Sequence, residues 1–363
     1  MIRISNDQLF CLMVLFEIGS SILFVSGIDA KQDAWLVVLI STIIGLGLMW
    51  VYTELQQQFP QENLAQIIIK ILGKYLGMPL VLLYALFFLY CSTRSFRDFG
   101  EVIVTTFLMK TPLLVILIVF ILTALYVLFL GVEVLGRTSE ILLPTVLLFI
   151  ISVVIMIGIS GRIQLDELSP VLANGWQPVF KEVYPKFVNF PFGEAIVFMM
   201  YWCYLDTKQS TRKISFLAIG TAGLIIILID VVSICVLGVN IAGTSTIPFL
   251  EVIKLINIGG IISNLDALGI TLMFIGGFYK MILFFYGGVQ ALATVFKGVD
   301  SRWIMIFSAI FVLWLSVVFE PNYPYHIWLG QKVSLQYIHN VFQTMIPPLL
   351  LLIYWCKGKK PIN

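Results

Sequence analysis

The residues of this chain that could do chemistry are charges and helix-breaking residues set inside long apolar runs. Glu17 precedes Gly19-Ser20-Ser21 in the first run. Serine and glycine there let a helix unwind and present amide N–H groups, a ready acceptor for a carboxylate. The same small residues also let membrane helices pack closely, and the residues alone permit both readings. Pro191-Phe192-Gly193-Glu194 forms a second break. Proline removes one backbone donor and glycine weakens the helix, so freed backbone groups need a partner in the protein or in a ligand. Glu194 lies a few residues inside an apolar stretch, where a charge costs about 2.5–3.5 kcal/mol. It must be paired, protonated or facing a wet cavity; a purely structural kink is the alternative reading of the motif.

Two further runs carry charge. Arg94 with Asp98, and Arg97 with Glu101, are i,i+4 neighbours that can neutralise each other. They form either a structural ion-pair cluster or a place where an arginine meets a ligand. Asp266 and Lys280 stand fourteen positions apart on a later run, close to one helical face. Lys280 is an intramembrane cation and therefore a functional candidate, with a salt bridge to an inward carboxylate such as Glu17 as the alternative. Asp230 is similar but without context, and Tyr90, Tyr286 and Tyr337 read as packing aromatics. No phosphate-cradling loop, metal-ligand spacing or nucleophile motif is present, so neither an enzyme nor a cofactor or metal is expected. Cys11, Cys91, Cys203, Cys235 and Cys356 sit singly, as small buried hydrophobes. His326 and His339 are too few and too isolated for a zinc cluster.

The elements that must position these residues follow from composition. Of 363 residues, 60% are hydrophobic and 12% charged, roughly half the charge of a soluble domain. The chain is an all-α integral membrane protein. A net charge of +2 offers no field to attract nucleic acid. Windows able to cross about 30 Å of hydrocarbon fall at 9–25, 35–55, 79–108, 113–132, 141–159, 187–205, 214–239, 261–296, 304–319 and 337–355, about ten spans. The runs are continuous, which excludes alternating β-spans. The polar start, and Glu17 inside the first run, read as the first span of the mature protein rather than a cleaved signal peptide. With the N-terminus inside, twelve loop Lys and Arg fall inside and seven outside, so both termini are expected in the cytoplasm. Segments 61–75 and 248–258 have the apolar stripe of helices lying on the inner and outer surface.

The spans divide five plus five around the turn-rich outer loop 161–186, within one transmembrane unit, 1–363. Repeat 9–160 opens with the Gly19–Ser21 break and repeat 187–356 with the Pro191–Glu194 break. Each third span is long and charged. Paired interrupted spans at matching positions point to an inverted-repeat transporter with its site at the midplane.

At these residues the chain resembles the B subunit of bacterial spore germinant receptors, the spore-germination permease family of the amino acid/polyamine/organocation superfamily. The carrying segments are Glu17-Ile-Gly-Ser-Ser with Asp29-Ala-Lys-Gln-Asp-Ala-Trp35, Phe190-Pro-Phe-Gly-Glu194, and Gly277-Phe-Tyr-Lys-Met-Ile-Leu-Phe-Phe-Tyr286. The resemblance implies a LeuT-like fold and a nutrient-sensing role in the spore inner membrane, with A and C subunits as partners. It implies a small germinant, often an amino acid, held where spans one, three, six and eight meet. Carried onto this chain, that site is Gly19, Ser20, Ser21, Ser92, Phe96, Phe192, Gly193, Glu194, Ile282 and Tyr286. Some relatives have a hydroxyl at the Ile282 position and an apolar side chain at Glu194. A proton-coupled amino acid transporter is the rival reading, because the same site could serve transport or sensing.

Overall fold

The computed structural model describes residues 3–257 and 265–358. Ile258, the start of the 261–296 run, the Gly259-Gly260 pair, Lys359 and Lys360 lie outside the described residues.

Ser5 opens α1 (Asn6–Ile18) with a capping box. Its side chain accepts from the Gln8 N–H, and the Gln8 side chain accepts from the Ser5 N–H, both at 3.1 Å. Every residue from Leu12 to Ile18 is buried, so α1 belongs to the interior of the bundle rather than its lipid-facing rim. The helix stops at Gly19, and one 3-10 turn, Ser21–Leu23, continues it before a second, Ile28–Asp33. Next come α2 (Ala34–Gln58) and α3 (Leu64–Thr106). α3 unites the expected inner surface helix with the third span. Gly73, at φ 78°, separates its first turns, where Leu64, Ile67, Ile68 and Ile71 are buried, from the crossing run. α4 (Leu113–Leu130) and α5 (Val132–Ile159) bury only part of their surface. Leu122 is 57% and Ile141 70% exposed, as the rim of a bundle in lipid requires.

The loop after α5 holds the short α6 (Gln177–Glu182). The sixth span is not an α-helix: a π turn, Val183–Phe187, leads to 3-10 segments Phe192–Met200 and Trp202–Tyr204. Pro185, Pro191 and Gly193 account for this, since each proline removes a donor from the α ladder. α7 (Thr211–Thr244), α8 (Pro248–Lys254), α9 (Asp266–Val295) and α10 (Ser301–Val318) follow. The apolar stripe of α8, with Phe249, Leu250 and Ile253, is buried by protein, where an outer surface helix was expected. Beyond α11 (Tyr323–Trp328), the tenth span begins as π-helix, Leu329–Ile338 and Asn340–Met345, before α12 (Ile346–Cys356). Among the described residues, eight helical segments are long and apolar enough to cross a membrane, and the sixth and tenth spans are assembled from shorter pieces.

Ile4 and Lys357, near the two limits of the described residues, reach one face of the bundle. Ile4 N donates to Tyr204 O at 3.0 Å, and Lys357 Nζ donates to Ile71 O at 2.7 Å. α3 and α9 form the most extensive helix pair. α9 also crosses α1 at two glycines, where a Cβ on Gly19 would lie 2.7 Å from the Gly276 carbonyl oxygen. Backbone cannot yield there, so any side chain would push α1 and α9 apart.

Candidate functional site

A cavity of about 370 Å³ opens between the breaks of spans one and six. Its inner wall is Ser20, Phe24, Arg94, Phe190, Glu194 and His339. From there it runs toward Asp29, Lys186 and Tyr323, on the side away from the termini. At that end Lys186 Nζ lies 2.5 Å from Glu182 Oε1 and 3.4 Å from Asp29 Oδ2, tying loop to loop. Burial pushes the Glu182 carboxyl above its ordinary range, against the pull of the Lys186 ammonium beside it. Toward the terminal face the cavity ends on packed rings: Phe16 meets Phe198 and Phe284 at centroid distances of 5.1 and 5.0 Å.

The ion pair at the inner wall joins two marked residues of the second repeat. Lys280 Nζ of α9 sits 2.6 Å from Glu194 Oε2, and both side chains are buried. The ammonium also faces the Phe190 ring at 4.2 Å and the Phe16 ring at 5.3 Å. The alternative reading of Lys280, a salt bridge to an inward carboxylate such as Glu17, is met by Glu194 in place of Glu17. The sixth span's break carries Glu194 to Lys280, while Glu17, fully buried, has no hydrogen-bond partner on either carboxylate oxygen.

A second charged cluster flanks the same cavity. Arg94 Nη1 donates to Glu320 Oε1 at 2.8 Å and to the His326 carbonyl at 2.6 Å. His326 Nε2 meets Asp98 Oδ1 at 2.7 Å, and its Nδ1 contacts Glu320. The i,i+4 pairing of Arg94 with Asp98 is therefore replaced by bonds to Glu320, between α10 and α11, and to His326 of α11. Arg97 does take Glu101, at 2.6 Å, and also donates to Ser316 O at 2.7 Å.

Of the ligand residues implied by the resemblance, Ser20 and Glu194 line the cavity. Gly19 packs on Gly276, and Ser21 Oγ donates to the Glu17 carbonyl at 2.7 Å. Ser92 Oγ donates to Met281 O at 3.0 Å, tying α3 to α9. Phe96 packs on Phe120 of α4, and Phe192 on Gly45 of α2. The Gly193 carbonyl accepts from Tyr52 Oη at 3.2 Å. Ile282 is wholly buried, and Tyr286 packs on Tyr201 toward the terminal face, so neither joins the cavity wall.

His339 and Cys91 were not anticipated as site residues. The π-helical turns of span ten carry His339 against Glu194, with Nδ1 3.7 Å from Oε1, and Cys91 Sγ lies 3.8 Å from Nε2. The only sequence signal is a histidine and Gln343 at i,i+4 in an apolar run; the two bond at 3.0 Å. The expectation that both histidines are isolated is corrected, since each is buried and partnered. Donor atoms of Cys91, Glu194 and His339 lie within 4.8 Å of one another, a set that could hold a metal ion.

The family described as "Spore germination protein" matches residues 3–324. Spore germination protein KB of Bacillus subtilis (strain 168) is 33% identical over 358 residues, which is 99% of this chain and 96% of that protein. Spore germination protein YndE of the same organism is 23% identical, over 97% and 96% of the two chains. Among solved structures, Mhp1, a nucleobase-cation-symport-1 family transporter in a closed conformation with bromovinylhydantoin bound, aligns with TM-score 0.70 and 14% identity, over 99% of this chain and 79% of that one. MhsT in complex with L-phenylalanine aligns with TM-score 0.67 and 16% identity, over 96% and 87%. These likenesses show the LeuT-like fold that the family resemblance implies.

Proposed function

We propose that this chain, which belongs to the spore germination permease family, is the nutrient-sensing membrane subunit of a spore germination receptor and binds a small amino acid. The observation that carries this reading is the cavity at the paired breaks. Its volume of about 370 Å³ is at the small end of ligand pockets, which start near ~300 Å³. Its wall combines an anion, Glu194, with the non-α backbone that follows Ser20. The first suits an ammonium group and the second a carboxylate. The termini face the cytoplasm, the cavity opens on the other side of the spore inner membrane, and A and C subunits complete the receptor.

The test is germination of spores lacking this chain, complemented with wild type or variants, against a panel of single amino acids. Glu194→Gln and Ser20→Phe are expected to reach normal membrane levels and lose the response to the nutrient that wild type restores. A wild-type response in both variants overturns the site assignment. The fold likeness to Mhp1 and MhsT supports a second reading, a proton-coupled secondary transporter. Uptake of labelled amino acid into vesicles holding the purified chain separates the two.

A further inference from the structure

The charged groups beside the two breaks are unequally paired. Two buried carboxyl groups, Glu17 and Glu194, have one ammonium near them, Lys280, and it sits on Glu194. Both Glu17 oxygens lack a hydrogen-bond partner, although the side chain lies within electrostatic reach of Lys280 and Glu194. The nearby Tyr52 hydroxyl cannot serve it, because it bonds the Gln343 and Gly193 carbonyls at 2.8 and 3.2 Å. A buried acceptor without a donor is costly, so Glu17 holds an open place for a donor. Only one of the two carboxylates, Glu194, lines the cavity.

We infer that Glu17 and Glu194 form a two-carboxylate site for ammonium groups with one occupant built in, the Lys280 side chain. A ligand's primary ammonium takes Lys280's place on Glu194, and Lys280 turns to Glu17. This deepens the function proposed above and rests on it for the ligand's class. The route is short and lined. Lys280 rises from α9 beside Gly19, whose added Cβ would lie 3.2 Å from Lys280 Cβ, so its stem starts at the α1 break. Its ammonium already faces Phe190, beside the Glu194 motif, and Phe16, next to Glu17. Ring faces stabilise a cation along the way. The four-carbon stem has the freedom to turn. With a ligand bound, each carboxylate has its own ammonium. Without one, Glu17 is left over. Ligand binding would thereby change which span Lys280 holds, span six before and span one after, and these are the two interrupted spans.

The probe is methylammonium chloride, against sodium chloride and tetramethylammonium chloride at equal ionic strength, with the full-length chain purified in nanodiscs and thermal unfolding as the readout. Methylammonium is expected to raise the unfolding temperature of wild type beyond either control. In Lys280→Ala the competitor is gone, so the midpoint concentration should fall about tenfold, the equivalent of one charge-assisted hydrogen bond. In Glu17→Gln the displaced lysine has nowhere to go, and the midpoint should rise by about the same factor. Glu194→Gln should abolish the shift. Equal midpoints in wild type and Glu17→Gln, or a shift that survives Glu194→Gln, overturn the inference. Because methylammonium stands in for any primary ammonium, a negative amino acid panel would strike the proposed nutrient class and leave this exchange standing.

Discussion

Two clusters of buried charge flank the cavity, built from similar residue types and finished differently. In the outer one, Arg94 and Asp98 of α3 meet Glu320 and His326 from the α10–α11 junction, and each charged side chain has a named partner. In the inner one, Lys280 has Glu194 while Glu17 has nothing. A buried network with every group satisfied is rigid, and removing one member strands the others. A network with one acceptor to spare is costly as it stands and is relieved by an added cation. The outer cluster is thus a clasp between elements, and the inner one has the unmet demand expected where a ligand enters. Charge inside a membrane marks both, so charge by itself does not tell clasp from site.

The largest effect should come from breaking the clasp. Arg94→Ala leaves Glu320 buried beside His326 and should cost about 3–5 kcal/mol, read as low membrane level and a lowered unfolding temperature. Arg94→Lys should restore little of it, because one ammonium cannot reproduce the guanidinium's contacts. The sharper comparison makes one substitution in both clusters. Glu320→Gln gives up charged hydrogen bonds, each worth about 1.5–3 kcal/mol. Glu17→Gln, at the other end of the scale, breaks none and should stay within about 1 kcal/mol of wild type. Equal losses in thermal unfolding would erase the distinction drawn here.

Between these lies the glycine crossing that brings α1 to α9. A Cβ on Gly276 would lie 2.9 Å from Gly19 Cα, so Gly276→Val should cost about 1–3 kcal/mol by overpacking. It should also change the methylammonium midpoint, since it separates the helices bearing Glu17 and Lys280. The outer cluster, on α3 and the α10–α11 junction, should be untouched, and Gly276→Val combined with Arg94→Ala should give additive losses. Non-additive losses would mean the clusters act as one.

Much of the fold was legible in the residues themselves. Apolar runs of bilayer length define spans because hydrocarbon admits only backbone that bonds within its own segment. Gly19-Ser20-Ser21 and Pro191-Phe192-Gly193-Glu194 marked the interruptions, since glycine and proline act through the local backbone whatever surrounds them. The amphipathic stripe at 61–75 and the Arg97–Glu101 pair were readable for the same local reason. What stayed hidden depends on partners distant in the chain. Local spacing offered Asp98 to Arg94, but tertiary packing supplied Glu320, 226 positions away. It set Lys280 on Glu194 rather than Glu17, and brought His339 and Cys91 to the same carboxylate. It also began the tenth span as π-helix, a deviation a hydropathy pattern does not distinguish from α-helix. The sequence alone thus determined that charges lie buried between two broken helices. Which carboxylate holds the lysine and which is left without a partner was decided only by the packing, because a buried charge pairs with whatever the fold brings within a few ångströms of it.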